Sequence, residues 1–280
     1  MALTSRRRSL LVTCLTVIAL PTAILTVLTF KQMQGASLQQ TLFAAIRRND
    51  AAAVTALLDA GADPNAHDPE TSRGLSKAGR FFAAITHNNP LENGQTPLLA
   101  ALYRIRTVGP QNQQEISANP TPNVAILHAL LDKGAKIDAT DGTALMITPV
   151  MFAVSSGNTQ AVALMLQHGA KIDGVTTMGT PLTCAARQGR TEMMRFLLAQ
   201  GADINALDLN GATALIETVR YARLPNAVQL LLDAHADVNR KDPRGSTALF
   251  YARTPSPSLA SSQTKYLPQV IALLKHAGAK

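Results

Sequence analysis

Apolar positions fall into two regimes along this chain. From Ser9 to Phe30, 22 consecutive positions carry no charged residue. As a helix they would rise roughly 33 Å at about 1.5 Å each, enough to cross the hydrocarbon core of a bilayer. From Ser37 onward the apolar residues arrive instead in short bursts that close on a leucine pair. Leu57-Leu58, Leu130-Leu131, Leu197-Leu198, Leu231-Leu232 and Leu273-Leu274 are examples, each followed within a few residues by a small residue and a turn. Bursts of this length predict short helices that must pack on one another, because none is long enough to be stable alone.

The bursts recur at a fixed period of about 33 residues. The cleanest unit reads Gly179-Thr180-Pro181-Leu182-Thr183-Cys184-Ala185-Ala186, then Gly189, then Met193-Met194-Arg195-Phe196-Leu197-Leu198, then Gly201-Ala202-Asp203-Ile204-Asn205. Its closing signature returns at Gly61-Ala62-Asp63-Pro64-Asn65, Gly134-Ala135-Lys136-Ile137-Asp138, Gly169-Ala170-Lys171-Ile172-Asp173, His235-Ala236-Asp237-Val238-Asn239 and, clipped, Gly278-Ala279. Its opening signature returns at Thr96-Pro97-Leu98, Thr148-Pro149-Val150, Thr213-Ala214-Leu215 and Thr247-Ala248-Leu249. Thr before Pro suits a helix start, where the hydroxyl caps free N–H groups and proline's missing donor is no loss. Gly after the leucine pair suits a left-handed helix stop, and Asp or Asn then supports a tight turn. His235 stands where the other units have Gly, and predicts mild backbone strain.

A periodic Thr-Pro-Leu and Gly-Ala-Asp-x-Asn pattern resembles the ankyrin repeat. The resemblance covers nearly all of residues 37–280 and implies an all-α solenoid of about six repeats, at about 37–67, 92–140, 143–174, 175–207, 208–239 and 242–280. In the family a histidine after Thr-Pro-Leu ties neighbouring loops together. Here those positions are Phe43, Leu99, Met151, Thr183, Ile216 and Phe250, so the resemblance puts the polar tie in doubt and apolar packing is expected in its place. Three insertions interrupt the period: residues 68–91 between the first two repeats, about 17 residues near Arg104–Pro122, and a Pro/Ser-rich stretch from Thr254 to Thr264. The first contains Phe81-Phe82-Ala83-Ala84-Ile85, an echo of Leu42-Phe43-Ala44-Ala45-Ile46. Phe81 and Phe82 either present an apolar lobe to a partner or tuck against the stack.

Charge sharpens the N-terminal reading. The formal net charge of +8 would suggest nucleic acid, yet Arg6, Arg7, Arg8 and Lys31 supply half of it, leaving +4 spread over the repeats. Arginines before an apolar run are topology signals. They predict a cytoplasmic tail (1–8), a signal-anchor helix (9–30), a linker (31–36) and a C-terminal domain facing the periplasm. A cleaved export signal with a soluble periplasmic product is the alternative. Nucleic-acid binding is not expected, since the basic cluster Arg240, Lys241 and Arg244 has no aromatic platform interleaved.

Catalytic chemistry is not legible. No nucleophile elbow, zinc-helix motif or phosphate-cradling glycine loop occurs, and the two cysteines, Cys14 and Cys184, cannot build a disulfide scaffold or a usual zinc site. No catalytic residue, metal, cofactor or small-molecule ligand is expected: His168, His235 and His276 read as helix-end residues, and His67, His87 and His128 have no partner at ligand spacing. The resemblance implies a non-enzymatic scaffold that binds a partner protein on a concave surface of turn tips and first-helix ends. By position these are Leu207, Leu209, Asn210 and Ala212 on one turn, Arg240, Lys241, Pro243 and Arg244 on the next, and Arg187, Gln188, Arg220 and Tyr221 at helix ends. Alternatives are a periplasmic immunity or inhibitor protein that neutralises a toxic enzyme, and a chaperone-like protector of envelope proteins.

Overall fold

The computed structural model describes residues 37–67, 96–108, 113–118, 122–140, 147–254 and 265–280. Helices follow one another in pairs: α1 (37–47) with α2 (Ala51–Asp59), α3 (Pro97–Leu102) with α4 (Val124–Asp132), and α5 (Pro149–Ser156) with α6 (Thr159–Gln167). The series continues with α7 (Pro181–Arg187) and α8 (Thr191–Ala199), then α9 (Ala214–Glu217, extended by a π turn over Thr218–Ala222) and α10 (Pro225–Asp233). It closes with α11 (Ala248–Arg253) and α12 (Leu267–His276). Helices pack on their pair-mates and on neighbouring pairs, giving one continuous core.

First helices are buried on nearly every side: Pro149 through Val154 in α5 and Pro181 through Ala186 in α7 are all buried. Small residues permit that close approach. Second helices bury one stripe, such as Ala227, Val228 and Leu231 in α10. A fully buried leucine contributes roughly 1.5–3 kcal/mol by the area removed from water, so the leucine pairs set the strength of each interface between neighbours.

Caps follow the expected chemistry with one exception. The hydroxyls of Thr180, Thr213 and Thr247 accept from the N–H groups of Thr183, Ile216 and Phe250, whereas the buried Thr148 hydroxyl has no partner among the described residues. Asp50, Asn123 and Asn158 cap second helices in the same way. After the leucine pairs the backbone turns left-handed, and at His235 it does so at φ 62° with a Cβ present.

The repeats themselves are helical. The insertion between α3 and α4 adds an antiparallel hairpin, β1 (Tyr103–Val108) with β2 (Gln113–Ala118), in which Ile105 is opposite Ile116. Insertion 68–91, with Phe81 and Phe82, and residues 255–264 lie outside the described residues, as does Ser9–Phe30. Among the described residues no helix is long and apolar enough to cross a membrane.

Polar ties between neighbouring turns are present, contrary to expectation, and they come from a different residue. Asn65 accepts from Lys136 N–H at 2.7 Å and donates to the Gly134 carbonyl at 2.9 Å. Asp173 accepts from Asp203 N–H, Asn205 from Asp237 N–H, and Asn239 from Lys280 N–H while donating to the Gly278 carbonyl. The last residue of Ala-Asp-x-Asn is thus the tie. Where the family would have its histidine, Phe43, Leu99, Met151, Thr183 and Ile216 are buried as expected, and Phe250 in the last repeat is half exposed.

Candidate functional site

Two successive turns and one helix end converge. The turn at Asp208–Gly211 packs on the turn at Asp242–Gly245 so closely that a Cβ on Gly211 would stand 2.6 Å from the Pro243 ring. Both turns fold around an internal aspartate. Asp208 accepts from the N–H groups of Asn210 and Ala212, and Asp242 from those of Arg244 and Ser246. That geometry turns Ala212 inward, where it is 1% exposed, so its expected role as a contact residue is corrected. Leu209, one residue from the tip, is left 65% exposed.

The helix end comes from α9, which carries one more residue than its neighbours. Caps of first and second helices stand ten residues apart in Thr148–Asn158 and Thr180–Arg190, but eleven apart in Thr213–Leu224. The extra residue is accommodated as the π turn that holds Arg220 and Tyr221, a device common at functional sites. Leu209, Asn210, Arg220, Tyr221, Pro243 and Arg244 then line one open groove of about 420 Å³, with Asp242 at its base.

A polar ladder runs beneath this groove across three repeats. Arg187 Nε donates to Glu217 Oε2 at 2.6 Å and Nη2 to Asp208 Oδ2 at 3.3 Å. On the other side of Glu217, Arg220 Nη1 stands 3.6 Å from Oε1. The Arg220 guanidinium lies 5.2 Å from the Tyr221 ring centre and 4.8 Å from that of Tyr251, and the Tyr251 hydroxyl donates to Asp242 Oδ2 at 2.5 Å. Burial pushes the Glu217 carboxyl above its ordinary value, and the hydrogen bond from Arg187 pulls it only part of the way back. Asp242 goes the other way: burial would raise it, but the Tyr251 hydroxyl and two backbone N–H groups outweigh burial and hold it below the usual range.

This arrangement is one built from the repeat. Residues 116–208 match the family model for ankyrin repeats, in three copies. Residues 116–208 carry ankyrin repeats. A crystal structure of an ankyrin repeat domain from Acinetobacter baumannii is similar at 25% identity, covering 85% of this chain and 98% of that one, with a TM-score of 0.60. Comparison with curated proteins gives no match. In an ankyrin stack the turn tips and first-helix ends share one face, which is where the groove lies.

The residues expected to bind a partner divide accordingly. Leu209, Asn210, Arg220, Tyr221, Pro243 and Arg244 come together. Leu207 is partly exposed beside them, and Arg240 and Lys241 are exposed on the same turn outside the groove. Arg187 is tied into the ladder, with Tyr221 5.6 Å from its guanidinium. Gln188 belongs to the preceding repeat, bonded to Ser155 and Arg190.

Four participants escaped the sequence reading. Asp208 and Asp242 recur one repeat apart, three residues before Gly211 and Gly245, whereas Glu217 and Tyr251 carry no spacing signal apart from the extra residue in α9. On the outer surface His128 and Asp132, four residues apart on α4, also meet His168 of the next repeat. His128 Nδ1 lies 2.5 Å from Asp132 Oδ2, and His168 Nε2 3.7 Å from Oδ1. Cys184 is 2% exposed and burial raises its thiol pKa, so it acts as a small hydrophobe. Among the described residues no cluster of three or more ligands suits a metal ion.

Proposed function

We propose that this chain is a protein-binding scaffold of six ankyrin repeats over residues 37–280, and that the Leu209–Tyr221–Arg244 groove is its contact site. One observation carries the reading: an aliphatic, an aromatic and two arginine side chains from two successive repeats converge in an open groove whose floor is already held by part-buried bonds. Aromatic and arginine side chains dominate binding energy at protein interfaces, and a rigid floor lowers the ordering cost of association. The Ser9–Phe30 run and the preceding arginines support a tether in the cytoplasmic membrane with the repeats in the periplasm.

A photo-crosslinking residue at position 209 of the full chain in intact cells is expected to yield one dominant adduct. The same residue at position 195, on the outer face of α8, is expected to yield none. Equal labelling at both positions would remove the groove as the site. A reporter active only in the periplasm, fused after Lys280, is expected to be active, and a silent reporter ends the tether reading without touching the binding one.

A further inference from the structure

We infer that the groove recognises a carboxylate, and that the partner segment it takes is an acidic, extended stretch of protein with an aliphatic or aromatic residue beside the acid. The inference rests on the binding reading above and narrows it. Three observations carry it.

The first is the difference between two arginines one repeat apart. Arg187 and Arg220 hold the same position in α7 and in the π-extended α9, seven residues after the caps Thr180 and Thr213. Arg187 spends its donors inside the protein, on Glu217 and Asp208. Arg220 keeps its donors free: it forms an ion pair with Glu217 at 3.6 Å, longer than a hydrogen bond, and no guanidinium N–H of Arg220 is hydrogen-bonded among the described residues. Its guanidinium is nevertheless fixed, because it rests against Tyr221 and Tyr251. A planar fork held by aromatic faces with its edge unbonded is arranged to receive a carboxylate in two parallel hydrogen bonds.

Charge complementarity is the second. Arg220, Arg240, Lys241 and Arg244 all reach the surface at or beside the groove. The carboxylates among them, Asp208, Glu217 and Asp242, are buried and engaged with Arg187, with Tyr251 or with turn N–H groups. The acids are therefore turned inward while the bases face out, and the groove presents a net positive surface to whatever enters it.

The third is the apolar wall. Leu209 at 65% and Tyr221 at 45% exposure flank the arginine, with the Pro243 ring between the turns. A segment that places a carboxylate on Arg220 sets its neighbouring side chain against that wall and excludes water from the ion pair, which strengthens it.

The test is selection of a phage-displayed library of random linear peptides on the full chain in detergent micelles. Enriched peptides are expected to carry Asp or Glu next to Leu, Ile or Phe, and to bind more weakly as NaCl is raised. Replacing that acid by Gln or Asn is expected to weaken binding about ten-fold or more. R220M should bind the acidic peptide and its amide version equally, because the group that tells them apart is gone, while R195M should keep the full difference. Exchange of the peptide's acid needs no change in the protein, so the test survives a poorly folded R220M. Peptides without acid preference, or an acid effect that persists in R220M, overturn the carboxylate inference and leave the binding reading standing. Binding that requires phosphoserine in place of the acid overturns it in favour of phosphate recognition. A library with no enriched peptide overturns both.

Discussion

His235 and Arg223 occupy positions that glycine fills elsewhere in the stack, and each retains a left-handed backbone, at φ 62° and 51°. A side chain there costs roughly 1–2 kcal/mol, of which glycine's extra unfolded-state freedom would take back roughly 0.5–1. H235G is therefore expected to raise stability by about 0.5–1 kcal/mol, read as a higher urea midpoint at unchanged slope. A lower midpoint would mean that the imidazole makes a stabilising contact. At Arg223 a second cost is added, since its Nε and Nη1 are buried without partners among the described residues. Two titrating groups in the ladder pull stability in opposite directions with pH. Glu217 sits above its ordinary value, so its contribution is complete in acid and fades as pH rises through the folded value. Asp242 sits below its ordinary value, so its contribution is present at neutral pH and lost as pH falls through the folded value. Urea titrations between acid and neutral pH should show E217Q gaining on the native chain as pH rises and D242N losing ground. A difference that stays flat with pH for either variant would contradict the assigned direction.

At the scale of elements, a few side chains decide how repeats present themselves. Thr180 and Thr183 form a reciprocal capping box at the start of α7, so Thr183 closes its own helix where the family has a histidine that reaches across to another loop. Helix starts, helix stops and the strained histidine were legible because each depends on residues within a few positions. The π turn was not legible as such: one extra residue between two helices can be absorbed in the loop as easily as in the helix, and only packing against Tyr251 and the adjoining turn decides. The hairpin β1–β2 was hidden for a similar reason, since about 17 inserted residues carry no repeat pattern against which to register them. Glu217 was missed because its partner Arg187 is 30 residues away. The two adjoining turns offer a direct test of how the groove is held. Gly211 combines φ 69° with a Cβ position 2.6 Å from the Pro243 Cγ and Cδ atoms. G211A is expected to destabilise the chain by about 2 kcal/mol or more. It should also weaken peptide binding by splaying the groove walls, with the helical circular dichroism signal preserved below the transition. Full stability in G211A would show that the turns slide past one another freely.

Over the whole molecule, cohesion comes from two layers at different depths. The inner layer is apolar, made by leucine pairs and small residues repeated every 33 or so positions, and it could be read directly from the pattern. The outer layer is the series of Asn and Asp side chains that reach from one turn to the backbone of the next. Those residues looked purely local, because Asn205 and Asn239 also donate their own N–H groups to Asp203 and Asp237 within the turn. The spare side-chain oxygen and the neighbouring N–H come within reach only when repeats stack. In an array held by nearest-neighbour interfaces, a lost tie acts where it stood and passes to distant repeats only through cooperativity. N205A removes the bond to Asp237 N–H, 2.9 Å long in the native chain, and is expected to cost about 0.5–1.5 kcal/mol. Native-state hydrogen exchange should then show α9 to α12 opening at lower free energy than α5 to α8, because the weakened interface separates those two blocks. Uniform loss of protection along the stack would mean that the repeats unfold as a single unit and that the outer layer does not divide it.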